Sequence, residues 1–160
     1  MRFKIFQILI LFYIISFNAQ EKPLSCPRNF DGQDFLELKG KVGRSDGKII
    51  AFDATITEIQ TGYNELPYFL LRFENKQNIW VSSMVSAKQL VVGKKIRVLG
   101  FLSQVLKDDE IGMKYNKSGV QVRAFAILDT ETKQIQMAKV FEKEVRIWKE
   151  GKIPNSLEEY

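Results

Sequence analysis

"LPYFLLRFENKQNIWVSSMVSAKQLVVGKKIRVLGF", Leu66–Phe101, holds two short β patterns, a segment of mixed pattern and a third β pattern. In "YFLLRF", Phe69, Leu71 and Phe73 alternate toward one face, and Tyr68 and Arg72 fall on the other. That period of two belongs to a half-buried strand. "ENKQN" is a polar turn, and "NIWVSS" then puts Trp80 on the side of Tyr68 and Arg72. "MVSAKQLVVGKK" breaks the alternation and predicts one or two helical turns ending near Gly93. "KIRVLGFL" returns to strand, with Ile96 and Val98 inward. Its Gly100 suits a barrel strand that bends sharply.

Outward from this stretch the alternation continues. "FLELKGKV" reads as a strand with Leu36, Leu38 and Val42 on one face, and "GRSDGK" supplies a turn. In "IIAFDATITEI", Ile50, Phe52, Ala54 and Ile56 alternate and Ile59 falls out of phase, which predicts a bulge near Thr57 and Glu58. "QTGYNELP" is a loop, and Ser103 to Gly119 is a long polar loop. "VQVRAFAIL" places Val120, Val122, Ala124, Ala126 and Leu128 on one side, and "DTETKQ" turns toward "IQM". In "AKVFEKEVRIWKEG", Phe141, Val145 and Trp148 recur at helical spacing, with Gly151 and Pro154 as stops. The predicted architecture is mainly β: a five- to six-stranded Greek-key barrel, a short helix before the fourth strand and a C-terminal amphipathic helix. Residues 20–34 read as a loose lead-in, 35–151 as barrel plus helix, and 152–160 as a tail.

Roughly residues 39–128 resemble the OB-fold superfamily. The likeness rests on the run from "ATITEI" to "VLGF", within which "VVGKKIRVLGF" is similar to the entry into the fourth strand. It is a likeness of pattern and points to no particular family. An SH3-like barrel is the rival, but it lacks a place for a helix before "VVGKK". OB-folds bind oligonucleotides, oligosaccharides or peptides on the face of strands two and three, between the loops after strands one and four. The resemblance therefore implies a ligand face of Tyr68, Arg72 and Trp80, with Tyr63 in one loop and Lys114, Tyr115 and Lys117 in the other. A competing use of that face is as a seat for the first strand, "FLELKGKV", or for the C-terminal helix, whose Phe141, Val145 and Trp148 must be buried somewhere. On that account Trp80 is covered, and Arg72 with the two loops stays open to a ligand.

At the N-terminus, Arg2 and Lys4 precede an apolar run from Ile5 to Phe17 and the exit "FNAQ". This is the layout of a cleaved signal peptide over residues 1–19; a run of thirteen is short of the ~20 residues a spanning helix needs. Without Arg2 and Lys4 the formal charge falls from +5 to +3, too little to demand a polyanionic partner. Cys26 follows "EKPLS" rather than the apolar run itself, so it reads as an ordinary residue and not a lipidation site.

The chain has no histidine and one cysteine. That removes Ser-His-Asp and Cys-His chemistry, imidazole metal ligation and any intrachain disulfide. Asp108, Asp109 and Glu110 lie between Lys107 and Lys114 and lack a calcium-loop pattern, so they read as a solvated charge run. Asp53 is a single acid in a strand. These readings predict no catalytic residues, metal or cofactor, and a secreted binding module of a bacterial-type cell envelope, not inserted in the membrane once its leader is removed. Its partner would be an envelope protein, a peptide or a glycan rather than nucleic acid. The rival is a secreted hydrolase that uses carboxylates in the barrel mouth. Acids converging in one pocket would favour the enzyme, and dispersed acids the binder.

Overall fold

The computed structural model describes residues 24–38, 43, 46–62, 65–105, 108, 110–116 and 119–154, with only the backbone of Ile111 and Tyr115. The elements run α1 (Gly32–Glu37), β1 (Ile49–Thr61), β2 (Pro67–Arg72), β3 (Asn78–Ser83), β4 (Lys95–Gln104), α2 (Glu110–Tyr115), β5 (Val120–Asp129), β6 (Ile135–Met137) and α3 (Glu142–Lys149), the last entered through a 3-10 turn at Lys139–Phe141. The leader, residues 1–19, lies outside the described residues.

Strand order is β3-β2-β1-β4-β5-β6, and β3 also pairs with β5 in parallel, which closes five strands into a barrel. That is the OB-fold Greek key. β1 is long enough to pair with β4 through Ile49–Thr55 and with β2 through Thr55–Thr61. Between its two partners the register shifts at Ile56/Glu58. This is the bulge expected from Ile59, and it returns Ile59 to the interior, opposite Phe69. Ile50, Phe52, Ile56, Phe69, Leu71, Ile79, Val81, Ile96, Val98, Leu102, Val120 and Val122 fill the inside.

Several local readings need correction. No helix stands between β3 and β4. Residues 84–94 pass through turns instead, and Val85, Ala87 and Leu90 from this segment enter the barrel core in the place a helix would fill. The short helix of the fold is α2, between β4 and β5.

The first apolar run is a helix over its described part, not a strand. Asp31 caps α1 by accepting from the N–H groups of Gln33 and Asp34, and the Asp34 carboxylate accepts from the Asp31 N–H at 2.7 Å. This reciprocal capping box satisfies the donors a helix start leaves open. Phe35 and Leu38, three apart, are the residues buried, while Leu36 is exposed. Phe35 stacks on Phe73 at 6.0 Å. Lys39–Val42, the remainder of that run, lie outside the described residues.

The alternation in β5 is interrupted. Leu99 pairs with Ala126 but Gly100 with Ala124, so Phe125 is an extra residue and Ala126 and Leu128 turn to the outside. Gly100 is required at this crossing. A Cβ there would stand 2.7 Å from the Arg123 carbonyl oxygen and 2.8 Å from a Val122 methyl.

The described part of residues 20–34 is packed rather than loose. Cys26 is fully buried. Its N–H donates to the Trp148 carbonyl, the Trp148 indole donates to Pro27 O at 2.8 Å, and the Asn29 side chain joins Ala51 N to Pro154 O. The segment is thus a strap between α3 and the barrel. The tail belongs to the body as far as Pro154, since Ile153 is buried.

Candidate ligand-binding face

The outside of the barrel has two unlike halves. On one, Ala51 of β1, Leu99 and Phe101 of β4, and Phe125, Ala126 and Leu128 of β5 form an apolar layer under Val145 and Trp148 of α3. Phe101, Phe125 and Phe141 make a three-ring cluster with centroids 4.7–5.1 Å apart. The helix finds its seat here, not on β2 and β3 as one reading of the aromatic patch expected.

The other half is the outer face of β2 and β3. The register opposes Tyr68 to Ser82, Leu70 to Trp80 and Arg72 to Asn78, while Phe69 and Leu71 point inward. On the neighbouring strand, Gln60 stands beside Tyr68, Glu58 beside Leu70 and Thr55 beside Arg72. The three strand residues expected on this face are therefore brought together on it. They differ in access: Arg72 is exposed, Tyr68 half-buried and Trp80 only 3 % exposed. Among the described residues Arg72 reaches the Asn78 side chain, at 3.4 Å.

Of the expected loop residues, Lys114 is exposed on α2, and Tyr115 is described by backbone alone. Tyr63 and Lys117 lie outside the described residues. Asp109 does too, and Asp108 and Glu110 are exposed.

Asn116 is the residue this reading missed. It is buried just after α2, where its Oδ1 accepts from the Trp80 N–H at 3.0 Å and its Nδ2 donates to the Trp80 carbonyl at 2.8 Å. The first β3–β5 pair is Val81 with Val122. Just before it, the carboxamide supplies the two bonds that a neighbouring strand would make. Nothing local marks it: one asparagine in a polar loop carries no signal of a long-range partner.

The carboxylates of the cleft beside α1 are engaged. Arg97 grips Asp53 across β4 and β1 at 2.6 and 2.8 Å and donates its third bond to the Cys26 carbonyl at 2.7 Å. Asp53 therefore anchors the strap. It shares a cleft with Asp31, Glu74, Arg28, Phe30 and Phe73. Asp31 there caps α1, and Glu74 pairs with Lys95 at 2.9 Å, which lowers its pKa. Asp34 goes the other way: burial raises its carboxyl above the usual range. Lys94 bonds Asp129 and, with the N–H groups of Thr132 and Glu131, holds that carboxyl down to about 2. Three acids do line one cleft, yet each is spent on a cap or an ion pair. Among the described residues no three potential metal ligands cluster.

No family model matches the sequence, and no curated protein matches it. Solved structures do match in shape. An aspartyl-tRNA synthetase from Entamoeba histolytica is similar over 56 % of this chain, at 13 % identity and a TM-score of 0.43; the match spans 20 % of the synthetase. A replication protein A heterotrimer bound to ssDNA is similar over 63 % of this chain and 65 % of its own, at 13 % identity and a TM-score of 0.37. The class is set by the strand order and barrel closure of the chain itself: it is an OB-fold barrel with a helix seated on one flank.

Proposed function

We propose that this protein is a secreted, non-catalytic OB-fold binding module of the cell envelope whose ligand lies across the outer face of β2 and β3. One observation carries the reading. α3 covers the outside of β1, β4, β5 and β6, leaving Tyr68 and Arg72 accessible on the half where OB-folds take ligands. An envelope peptide, glycan or partner protein fits the charge of this half better than a polynucleotide. Among the described strand residues of the face, Arg72 and Glu58 are the charged ones, and a polyanion site needs a surplus of cations. The engaged state of Asp31, Asp53 and Glu74 favours the binder over a carboxylate hydrolase, which needs an acid free to move a proton. The leader pattern supports export, and no described helix is long and apolar enough to cross a membrane.

The test is a titration of the exported protein with chitotetraose, an envelope peptide extract and a twelve-residue oligothymidylate, for the parent, Tyr68→Ala and Arg72→Ala. Loss of a stacking ring or of the guanidinium should weaken the true ligand by about 1–3 kcal/mol, roughly five- to 150-fold, while the melting temperature holds. Equal affinity in all three proteins removes the face from binding. Oligothymidylate binding with a steep salt dependence would replace the ligand class. N-terminal sequencing of the exported protein should start within two residues of Gln20.

A further inference from the structure

We propose that Arg72, Thr55 and Lys95 form a carboxylate-binding row across β2, β1 and β4, which selects a uronic-acid unit of an acidic glycan. The proposal rests on the reading of the β2–β3 face given above and names the chemistry of its ligand.

The register builds the row. Thr55 is the one residue of β1 paired with both neighbouring strands, with Arg72 of β2 on one side and Lys95 of β4 on the other. Asn78 of β3 stands opposite Arg72 and extends the row by one strand. Ala54, Ile56, Leu71, Phe73, Ile79 and Ile96 point into the barrel, so alternation sends all four row residues outward. Directly opposed residues lie about 5 Å apart, which separates Arg72 and Lys95 by about 10 Å at their Cα atoms, with Thr55 between them.

The donors of the row are uncommitted or easily freed. Arg72 is exposed, and its bond to Asn78 Oδ1 leaves from Nε, so both Nη groups stay available. The nearby acids are taken elsewhere: Asp53 by Arg97, and Glu58 by the Gln60 amide at 2.8 Å. The Thr55 hydroxyl bonds none of the described residues. Lys95 bonds Glu74 of the β2–β3 turn at 2.9 Å, so this pair bridges β1 on its outside. The two side chains are 49 % and 76 % exposed, and an ion pair so open to water contributes little and exchanges readily. Glu74 is the carboxylate that a ligand would displace.

The geometry selects the ligand class. Two Nη groups in one plane match a planar carboxylate, with the threonine hydroxyl and the ammonium as further donors. One uncommitted positive charge suits a monoanionic group rather than a chain of phosphates. Main-chain recognition is closed here, because Thr55 lies between two partner strands and Arg72 between Thr55 and Asn78. An extended peptide draws affinity from main-chain pairing, whereas a glycan needs only side-chain donors and a ring to stack on. Tyr68 supplies that ring on the same outer face. Four residues of strand place it about 13 Å from Arg72, within the span of a short oligosaccharide.

The experiment titrates the exported protein at low salt with tetragalacturonate, neutral chitotetraose and a tetraglutamate peptide. Tetragalacturonate should bind the parent most tightly of the three. Arg72→Gln and Lys95→Gln should each weaken it about fivefold or more at an unchanged melting temperature. Glu74→Gln should tighten it about two- to fivefold, because the competing carboxylate is gone. Glu150→Gln, an equal change of charge on the terminal helix, should leave it unchanged.

Tetragalacturonate that fails to bind the parent, or that chitotetraose matches, overturns the row. So does tetragalacturonate binding indifferent to Arg72→Gln, Lys95→Gln and Glu74→Gln. If Tyr68→Ala still weakens whichever probe binds, the β2–β3 face stands and the row alone falls. Tighter binding of tetraglutamate, with the same dependence on Lys95 and Glu74, would overturn the glycan and put an acidic peptide in its place.

Discussion

The two outer halves of this barrel share a backbone and differ in everything laid upon it. Outside the middle of β4 and β5 the alternate residues are Leu99, Phe101, Phe125, Ala126 and Leu128, so these stretches are apolar on both faces and must be roofed. Outside β2 they are Tyr68, Leu70 and Arg72, of which Tyr68 and Arg72 tolerate water at one end while covering apolar surface with the other. A barrel of this size has one inside to fill. The outward residues therefore decide where an added helix docks and where a ligand can. Here α3 goes to the fully apolar half, and the mixed half keeps its aromatic and its arginine within reach of solvent.

The largest effect should come from the roof. Trp148 is fully buried between Val145, the strap and the sheet, and its indole N–H is bonded to Pro27 O. Trp148→Ala should cost about 3–5 kcal/mol, read as a fall in the denaturant midpoint at unchanged slope. Because Cys26 N–H bonds the carbonyl of the same residue, the N-terminal strap should loosen with it, and the Cys26 thiol should become open to a thiol reagent. A variant as stable as the parent would mean that the roof is ornamental and that the two halves do not differ in kind.

A second effect lies at the edge of the roofed half, where β5 turns into β6. Lys94 and two turn N–H groups favour the ionised form of Asp129, so its carboxyl titrates lower in the folded chain than in the unfolded one. The sign follows from linkage. The contribution is complete above the ordinary carboxylate range near pH 4, and it is lost as pH falls toward about 2. Between pH 4 and 2 the parent should lose stability faster than Asp129→Asn, so the gap between them narrows on acidification. Parallel curves would show that the pair adds nothing through charge.

How much of this was legible in the residues follows from the range of the forces involved. The period of two placed Tyr68, Arg72 and Trp80 on one face, and the phase break at Ile59 located the bulge in β1. Both are consequences of strand geometry written within a few residues. The burial of Trp148 was legible from the stripe it shares with Val145. Its seat was not, because the extra residue at Phe125 that turns Ala126 and Leu128 outward depends on Gly100 in another strand.

The α1 helix is a different kind of miss. The spacing of Asp31 and Asp34 fits a capping box, and the strand reading of "FLELKGKV" made no use of it. Asn116, the Asp53–Arg97 pair and the strap are contacts across 36, 44 and more than 100 residues, for which no local pattern exists. The covering of Trp80 was expected, but by α3; the helix that packs on its strand is α2.

The smallest stability effect should come from Arg72, and it is the sharpest test of the comparison. Its side chain is exposed and, among the described residues, meets the Asn78 amide, at 3.4 Å, a weak contact. Arg72→Ala should change stability by no more than about 0.5 kcal/mol, as at surface positions outside any cap, core or buried pair. Arg97, the third residue of β4 and also facing outward, makes the control. It has the same side chain, but there it is half-buried on Asp53 and the Cys26 carbonyl. Arg97→Ala leaves a carboxylate and a carbonyl without their donor, so it should cost clearly more, on the order of 1–3 kcal/mol. The ratio of the two costs measures how unlike the two halves are. If Arg72→Ala proves as costly as Arg97→Ala, the β2–β3 face is held by structure rather than left for a ligand. If Arg72→Ala is silent in stability and strong in binding, the open half is the working one.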